Sequence, residues 1–186
     1  MTLFEAETPE ASRPLLLDIA GHVDHVTLLA GHRLHWNTAC LWGAAARVSQ
    51  EFLAHCALDE ADWDELTSVI GELATRDLWI SESLSYSVLD DAIRRHGVEV
   101  LAVEDISRFD HPCRVLGRLV GMAVELGVAV VATSSHLDLE DLRGGDRLVR
   151  VGVHHNGGRS TLVRPDPIDL LRVEDVFVDH VTGFVN

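Results

Sequence analysis

An α/β domain built on a mainly parallel sheet is predicted by three features of this chain. Largely apolar runs of strand length recur at 26–30, 100–103 and 128–133, and strands without polar alternation are those buried on both faces of a parallel sheet. Stretches with apolar residues at helical spacing separate these runs, so strand and helix patterns alternate along the chain. The length of 186 residues, 47% of them hydrophobic, suits one well-buried core and is short for two. The expected organisation is a flexible lead-in over 1–14 and a single domain over 15–186.

Taken in order, 15–19 is apolar and predicts a short helix or strand beside the core, and GHVDH at 21–25 a polar turn. Val26 to Ala30 is the first firm strand, followed by Gly31 and a helix over 37–55 whose stripe is Leu41, Ala45, Val48 and Phe52. A second helix over 59–76 opens on Asp59 with Asp62 three residues later, the spacing of a capping box, and carries a seam of Trp63, Leu66, Ile70 and Leu73. A short strand follows at 78–81. Ser87 with Asp90 predicts the cap of a third helix, which Gly97 closes in the left-handed conformation. The strand over 98–105 is apolar until Glu104 and Asp105, and His111-Pro112 opens a fourth helix ending at Gly127. After the apolar strand 128–133 comes a polar Ser134-Ser135-His136. Two β-like segments flank Asn156-Gly157-Gly158, so a C-terminal antiparallel hairpin is expected, and VEDVFVDHVTGFV reads as a terminal strand.

The formal charge is −15, with 30 acidic residues against 15 basic ones. Such a field repels nucleic-acid phosphate and anionic membrane, so DNA binding by this chain alone is not expected. All 15 basic residues are Arg. With no Lys anywhere, no phosphate-loop, Schiff-base or general-base lysine exists. Cys40, Cys56 and Cys113 have no metal-ligand spacing and are odd in number, which argues for reduced thiols. The acidic N-terminus lacks the pattern of a signal peptide and no apolar run reaches the ~18 residues of a membrane span, so a cytoplasmic protein is expected.

In parallel α/β sheets ligands bind at the carboxyl ends of strands. Three such ends carry polar groups, namely Gly31 to Thr38, Glu104-Asp105 and Ser134 to His136. The first has the outer frame of a phosphate-binding loop, G-x-x-x-x-G-K-[ST], in which glycines let the backbone close on phosphates, a Lys neutralises them and a hydroxyl holds Mg²⁺. Gly31 and Thr38 stand at its ends, but Trp36 replaces the second Gly and Asn37 the Lys. An acid at the end of a strand one helix-and-strand unit later is how such folds hold Mg²⁺ on a triphosphate.

The order and wording of the segments over roughly 17–164 resemble the ATPase domain of the DnaB-type replicative helicases, in the RecA-like group. HVDHVTLLAG resembles the lead-in to that family's phosphate loop, SVLDDAIRRHGVEVLAVEDISRF the helix and strand bearing its Mg²⁺ acid, LGRLVGMAVELGVAVVATSSHL its sensor strand, and VGVHHNGGRSTLVR its late hairpin. The resemblance implies a RecA-like three-layer domain, with Gly31, Arg33, Thr38 and Asp105 as vestigial nucleotide-binding positions, His136 at the sensor position and His155 at the finger position. It also implies ATP and Mg²⁺ as the family's ligands and packing into rings. Against it stand Asn37 for Lys, Trp36 for Gly, no strand bearing the catalytic Glu between the first helix and Leu58, and Val153-His154-His155 where the family carries a Lys and an arginine finger. A finger alone is worth ~10³–10⁵ in rate. The expectation is a pseudo-ATPase with no catalytic residue and no resident cofactor, acting as a binding or regulatory module through a protein partner or homo-oligomer. The family's primase-binding N-terminal domain is expected to be absent, since few residues precede the first strand.

Two alternatives are carried. One is a DNA-dependent ATPase or helicase subunit in which Arg33 serves for the Lys and a partner supplies the finger. The other is a metal- or ligand-binding protein using His22, His25, His32 and His35 around Asp24. Solvated rim histidines are the preferred reading of that group, and His154-His155 alternate faces and do not chelate together. Glu104-Asp105 as an acid/base couple is set below the vestigial Mg²⁺ acid. Trp36, Trp42 and Trp63 read as packing residues, and Arg94-Arg95 and Arg143, Arg147 and Arg150 as solvated faces.

Overall fold

The computed structural model describes residues 1–6, 16–17, 19–21, 23–31, 58–109 and 111–135, together with the backbone of strands within 149–156, 159–165, 171–176, 178–179 and 184–185. The expected helix over 37–55 lies outside these residues, as do Arg33, Thr38 and His136.

Chain order runs β1 (Thr2–Ala6), helical residues at 16–17 and 19–21, β2 (Thr27–Ala30), α1 (Glu60–Ala74), β3 (Leu78–Ser81), α2 (Tyr86–His96) and β4 (Val100–Val103). A 3₁₀ turn (Ile106–Arg108), α3 (Pro112–Glu125), β5 (Ala129–Ser134), β6 (Val149–Asn156), β7 (Arg159–Pro165) and β8 (Leu171–Val176) follow. The main sheet has eight strands in the order β3, β2, β4, β5, β1, β6, β7, β8. Every pairing from β3 to β6 is parallel. β7 runs antiparallel to β6, with Asn156 opposite Arg159, and β8 runs antiparallel to β7. A separate antiparallel pair joins β9 (Val178–Asp179) and β10 (Phe184–Val185).

The sheet is covered on both sides, and the pleat determines which residue faces which layer. Leu28, Leu101 and Val130 lie opposite one another across β2, β4 and β5, as do Leu29, Ala102 and Val131 one position on. The first set packs with Leu89 and Ile93 of α2 and Leu116, Leu119 and Met122 of α3. The second packs with Leu16, Leu17 and Ala20 and with Leu66, Val69 and Leu73 of α1. Crossover direction explains the division. The chain moves one way along the sheet from β2 through α1 to β3, and the other way from β3 through α2, β4 and α3 to β5. Right-handed connections then put α1 on one face and α2 and α3 on the other.

Four local readings are corrected. The lead-in is not one over its first residues, because Thr2–Ala6 forms β1 and pairs with both β5 and β6. Leu3 is fully buried and Phe4 nearly so, which is why a segment rich in acids is nonetheless an interior strand. The first firm strand of the sequence is therefore the second of the fold. On α1, Trp63 is 49% exposed and leaves the seam, which runs through Leu66, Val69 and Leu73 with Ile70 partly buried against the same core. The third helix begins after Ser85 rather than Ser87, and no side-chain bond caps it. The last correction is at β4, which stops at Val103, so Glu104 and Asp105 belong to the turn beyond the strand.

The remaining helix signals act locally as their chemistry dictates. Asp59 accepts from the Asp62 N–H at 2.8 Å while the Asp62 carboxylate accepts from the Asp59 N–H at 3.2 Å, a reciprocal capping box. Gly97 ends α2 at φ 63°. Along α2 the i,i+4 pairs Asp90–Arg94 and Asp91–Arg95 close at 3.1 and 2.7 Å. The hydrogen bond that Arg94 donates to the Asp90 carboxylate raises its guanidinium above the ordinary pKa.

Candidate functional site

Register places the carboxyl ends of the parallel strands in a row. Ala30 is opposite both Ser81 of β3 and Val103 of β4, Val103 is opposite Ala132 of β5, and Ser134 is opposite Glu5 of β1. Gly31 leaves β2 with its N–H donating to the Ser81 carbonyl at 3.0 Å, and the Glu104 N–H donates to the Ala30 carbonyl at 2.8 Å. β2 and β4 are neighbours, and α1, which precedes β3, and α3, which follows β4, lie on opposite faces of the sheet. In open sheets of this kind the crevice where ligands bind lies outside the carboxyl ends of the strands. Gly31, Glu104 and Asp105 line that edge.

Asp105 is the centre of the described part of the site. Its backbone is left-handed, with φ 43° and ψ 76°, a state that Asp tolerates better than most residues. Its N–H donates to Thr133 Oγ1 at 2.8 Å. The carboxylate is 2% exposed and ringed by donors. Oδ1 accepts from the Ser135 N–H at 3.2 Å, from Ser135 Oγ at 3.1 Å and from Ser107 Oγ. Oδ2 accepts from Arg108 Nε at 2.9 Å. Ser107 Oγ and Ser135 Oγ are themselves 2.9 Å apart, so two hydroxyl protons serve three oxygen–oxygen contacts. Next to this network the Ser134 hydroxyl is buried without a hydrogen-bond partner among the described residues.

The fit of this arrangement to a divalent cation is poor. An ionised carboxylate offers about four lone-pair sites; three N–H or O–H groups crowd Oδ1 of Asp105, and Oδ2 already faces the Arg108 cation. A Mg²⁺ ion demands near-octahedral oxygen geometry and keeps several of its waters. The 2% exposure of the Asp105 side chain leaves little room for them. Glu104, 3% exposed, is buried in the same turn.

Sequence reasoning found Asp105 and the polar end of β5 but missed the residues that saturate the acid. Ser107 and Arg108 follow Asp105 at i+2 and i+3, and that spacing is the signal. In a 3₁₀ turn residues i and i+3 eclipse, which brings the Arg108 side chain back over Asp105. Of the other expected positions, His155 lies in β6 through its backbone. Residues 31–38 follow β2, the second strand of the fold, and β1 precedes them. The segment leaving β1, ETPEASRPL at 7–15, contains neither Gly nor Lys and lies outside the described residues.

The rim histidine group is represented by His25, whose Nδ1 is 3.1 Å from Glu99 Oε2. It sits at the amino edge of the sheet, in a cavity of about 440 Å³ with Asp24, Thr75, Arg76, Asp77 and Glu99. The chain reaches the carboxyl edge only at Gly31. Among the described residues no group of three His, Cys, Asp or Glu side chains is arranged to hold a metal ion, and no helix is long and apolar enough to cross a membrane.

The layers, strand order and carboxyl-edge crevice define a RecA-like α/β fold. Comparison with solved structures agrees: the chain is similar to one described as the structure of a DnaB-like replicative helicase and its interactions with primase, with a TM-score of 0.77 and 16% sequence identity. The match covers 100% of this chain and 56% of that one, so this chain spans little more than half its length. No protein-family model matches the chain, and no curated protein does.

Proposed function

We propose that this chain is a RecA-like module that does not hydrolyse ATP and works by binding, either to a partner protein or to further copies of itself. The carrying observation is the state of Asp105. The residue in the position of a Mg²⁺ acid is paired with Arg108 at 2.9 Å and accepts from Ser107 and Ser135. The absence of any Lys supports the same reading without depending on which loop follows which strand. At the level of sequence, Trp36 and Asn37 stand where the phosphate-loop consensus has its second Gly and its Lys, which supports it too. A setting in DNA replication is suggested by the structural likeness, and contact with DNA itself is opposed by the charge of −15. Gly31, Arg33, Thr38 and Asp105, with His136 and His155 at the sensor and finger positions, are remnants of a nucleotide site in this reading.

Titration of labelled ATP with Mg²⁺ is the direct test. No saturable binding below millimolar concentration and no phosphate release are expected. Micromolar affinity that disappears in Arg33→Ala would overturn the proposal in favour of an ATPase completed by a partner chain. Stoichiometric zinc in the untagged protein would favour the histidine rim as a metal site.

A further inference from the structure

We infer that Arg108 is the resident counter-ion of Asp105 and fills, from within the chain, the place a divalent cation would take at the strand ends. Three observations converge on this. The Arg108 guanidinium lies on Oδ2 at 2.9 Å and is, among the described residues, the one cationic partner of that carboxylate. The other carboxylate oxygen is held by Ser107 and Ser135, so a metal ion reaching Asp105 must approach Oδ2, where the arginine already stands. The acid is also fixed in place, since its left-handed backbone and the bond from its N–H to Thr133 leave the carboxylate one direction in which to point. Arg108 is reached from solvent, at 37% exposure, whereas Asp105 is 2% exposed. The charge of the buried acid is thus neutralised by a side chain that keeps part of its own hydration, the arrangement that burying a carboxylate requires. The ends of β4 and β5 are thereby latched together without metal or nucleotide. This deepens the non-hydrolysing reading and rests on it.

The test uses the whole chain without nucleotide, so that its outcome is separate from any ATP result. Thermal unfolding is followed with and without Mn²⁺. The wild-type midpoint is expected to be independent of Mn²⁺. Arg108→Gln is expected to gain a Mn²⁺-dependent rise of roughly 2–4 °C, the shift that modest ligand binding gives a protein of this size. That gain should vanish when Asp105→Asn is added. A rise in the wild type that is lost in Asp105→Asn would overturn the assignment, as would a folded Arg108→Gln variant with no response. A second measurement needs no variant. Mn²⁺ should leave the amide resonances of Thr133 and Ser135 unbroadened in the wild type, and selective broadening there would also overturn it. Failure of these tests with ATP still neither bound nor hydrolysed would remove the counter-ion role and leave the non-hydrolysing module standing.

Discussion

Asp105 combines a backbone state that costs an L-residue roughly 1–2 kcal/mol with a carboxylate that is almost fully buried, so its hydrogen bonds must outweigh both penalties. The exposed half of the Arg108 ion pair is screened, and exposed pairs contribute only about 0–1 kcal/mol. The larger share comes from the donors on Oδ1. Asp105→Asn keeps the tolerance for φ 43° and removes the charge. It is predicted to lower the unfolding free energy by about 1–3 kcal/mol, measured by urea denaturation, and an unchanged midpoint would show that the network contributes nothing. At Gly97, φ 63° favours glycine although no atom lies within 4 Å of the site of an added Cβ. Gly97→Ala therefore isolates backbone strain, with an expected cost of about 1 kcal/mol.

Helix α1 shows how far local signals reach. Its capping box was readable from Asp59 and Asp62 because both bonds join residues three apart. Asp59→Ala should cost about 1 kcal/mol, and a loss below a few tenths would mean that the exposed box is satisfied equally well by water. The orientation of the same helix was not readable in full. Trp63 fits the apolar period as well as Val69 does, but the face presented to Leu29 and Ala102 is that of Leu66, Val69 and Leu73. With the indole 49% exposed, Trp63→Ala is predicted to change stability by no more than about 0.5 kcal/mol. A cost of several kcal/mol would place that side chain in contact with something beyond the described residues.

For the molecule as a whole, the consequential element is β1. Thr2–Ala6 joins β5 to β6, so the parallel strands β2 to β5 and the antiparallel strands β6 to β8 are linked into one sheet through it. Removing residues 1–6 is predicted to abolish cooperative unfolding or to yield insoluble protein, because two interior strand edges lose their partner. A truncated chain that unfolds at the wild-type temperature would show the pairing to be dispensable. The segment escaped sequence reading because Glu5, Glu7 and Glu10 around it look like a solvated end, and burial of Leu3 and Phe4 is a property of the neighbours the strand finds.

Alternating apolar runs and helical periods made the α/β class, most helix limits and the polar strand ends legible, since each rests on residues a few positions apart. The lack of Lys and the substitutions at 36 and 37 were equally plain. Strand order was not legible, because it depends on the direction of each crossover and on partners far along the chain. The condition of Asp105 belongs to the same class. Its bonds to Thr133 and Ser135 span 28 and 30 residues, and only the packing of β4 against β5 could bring those donors to the acid.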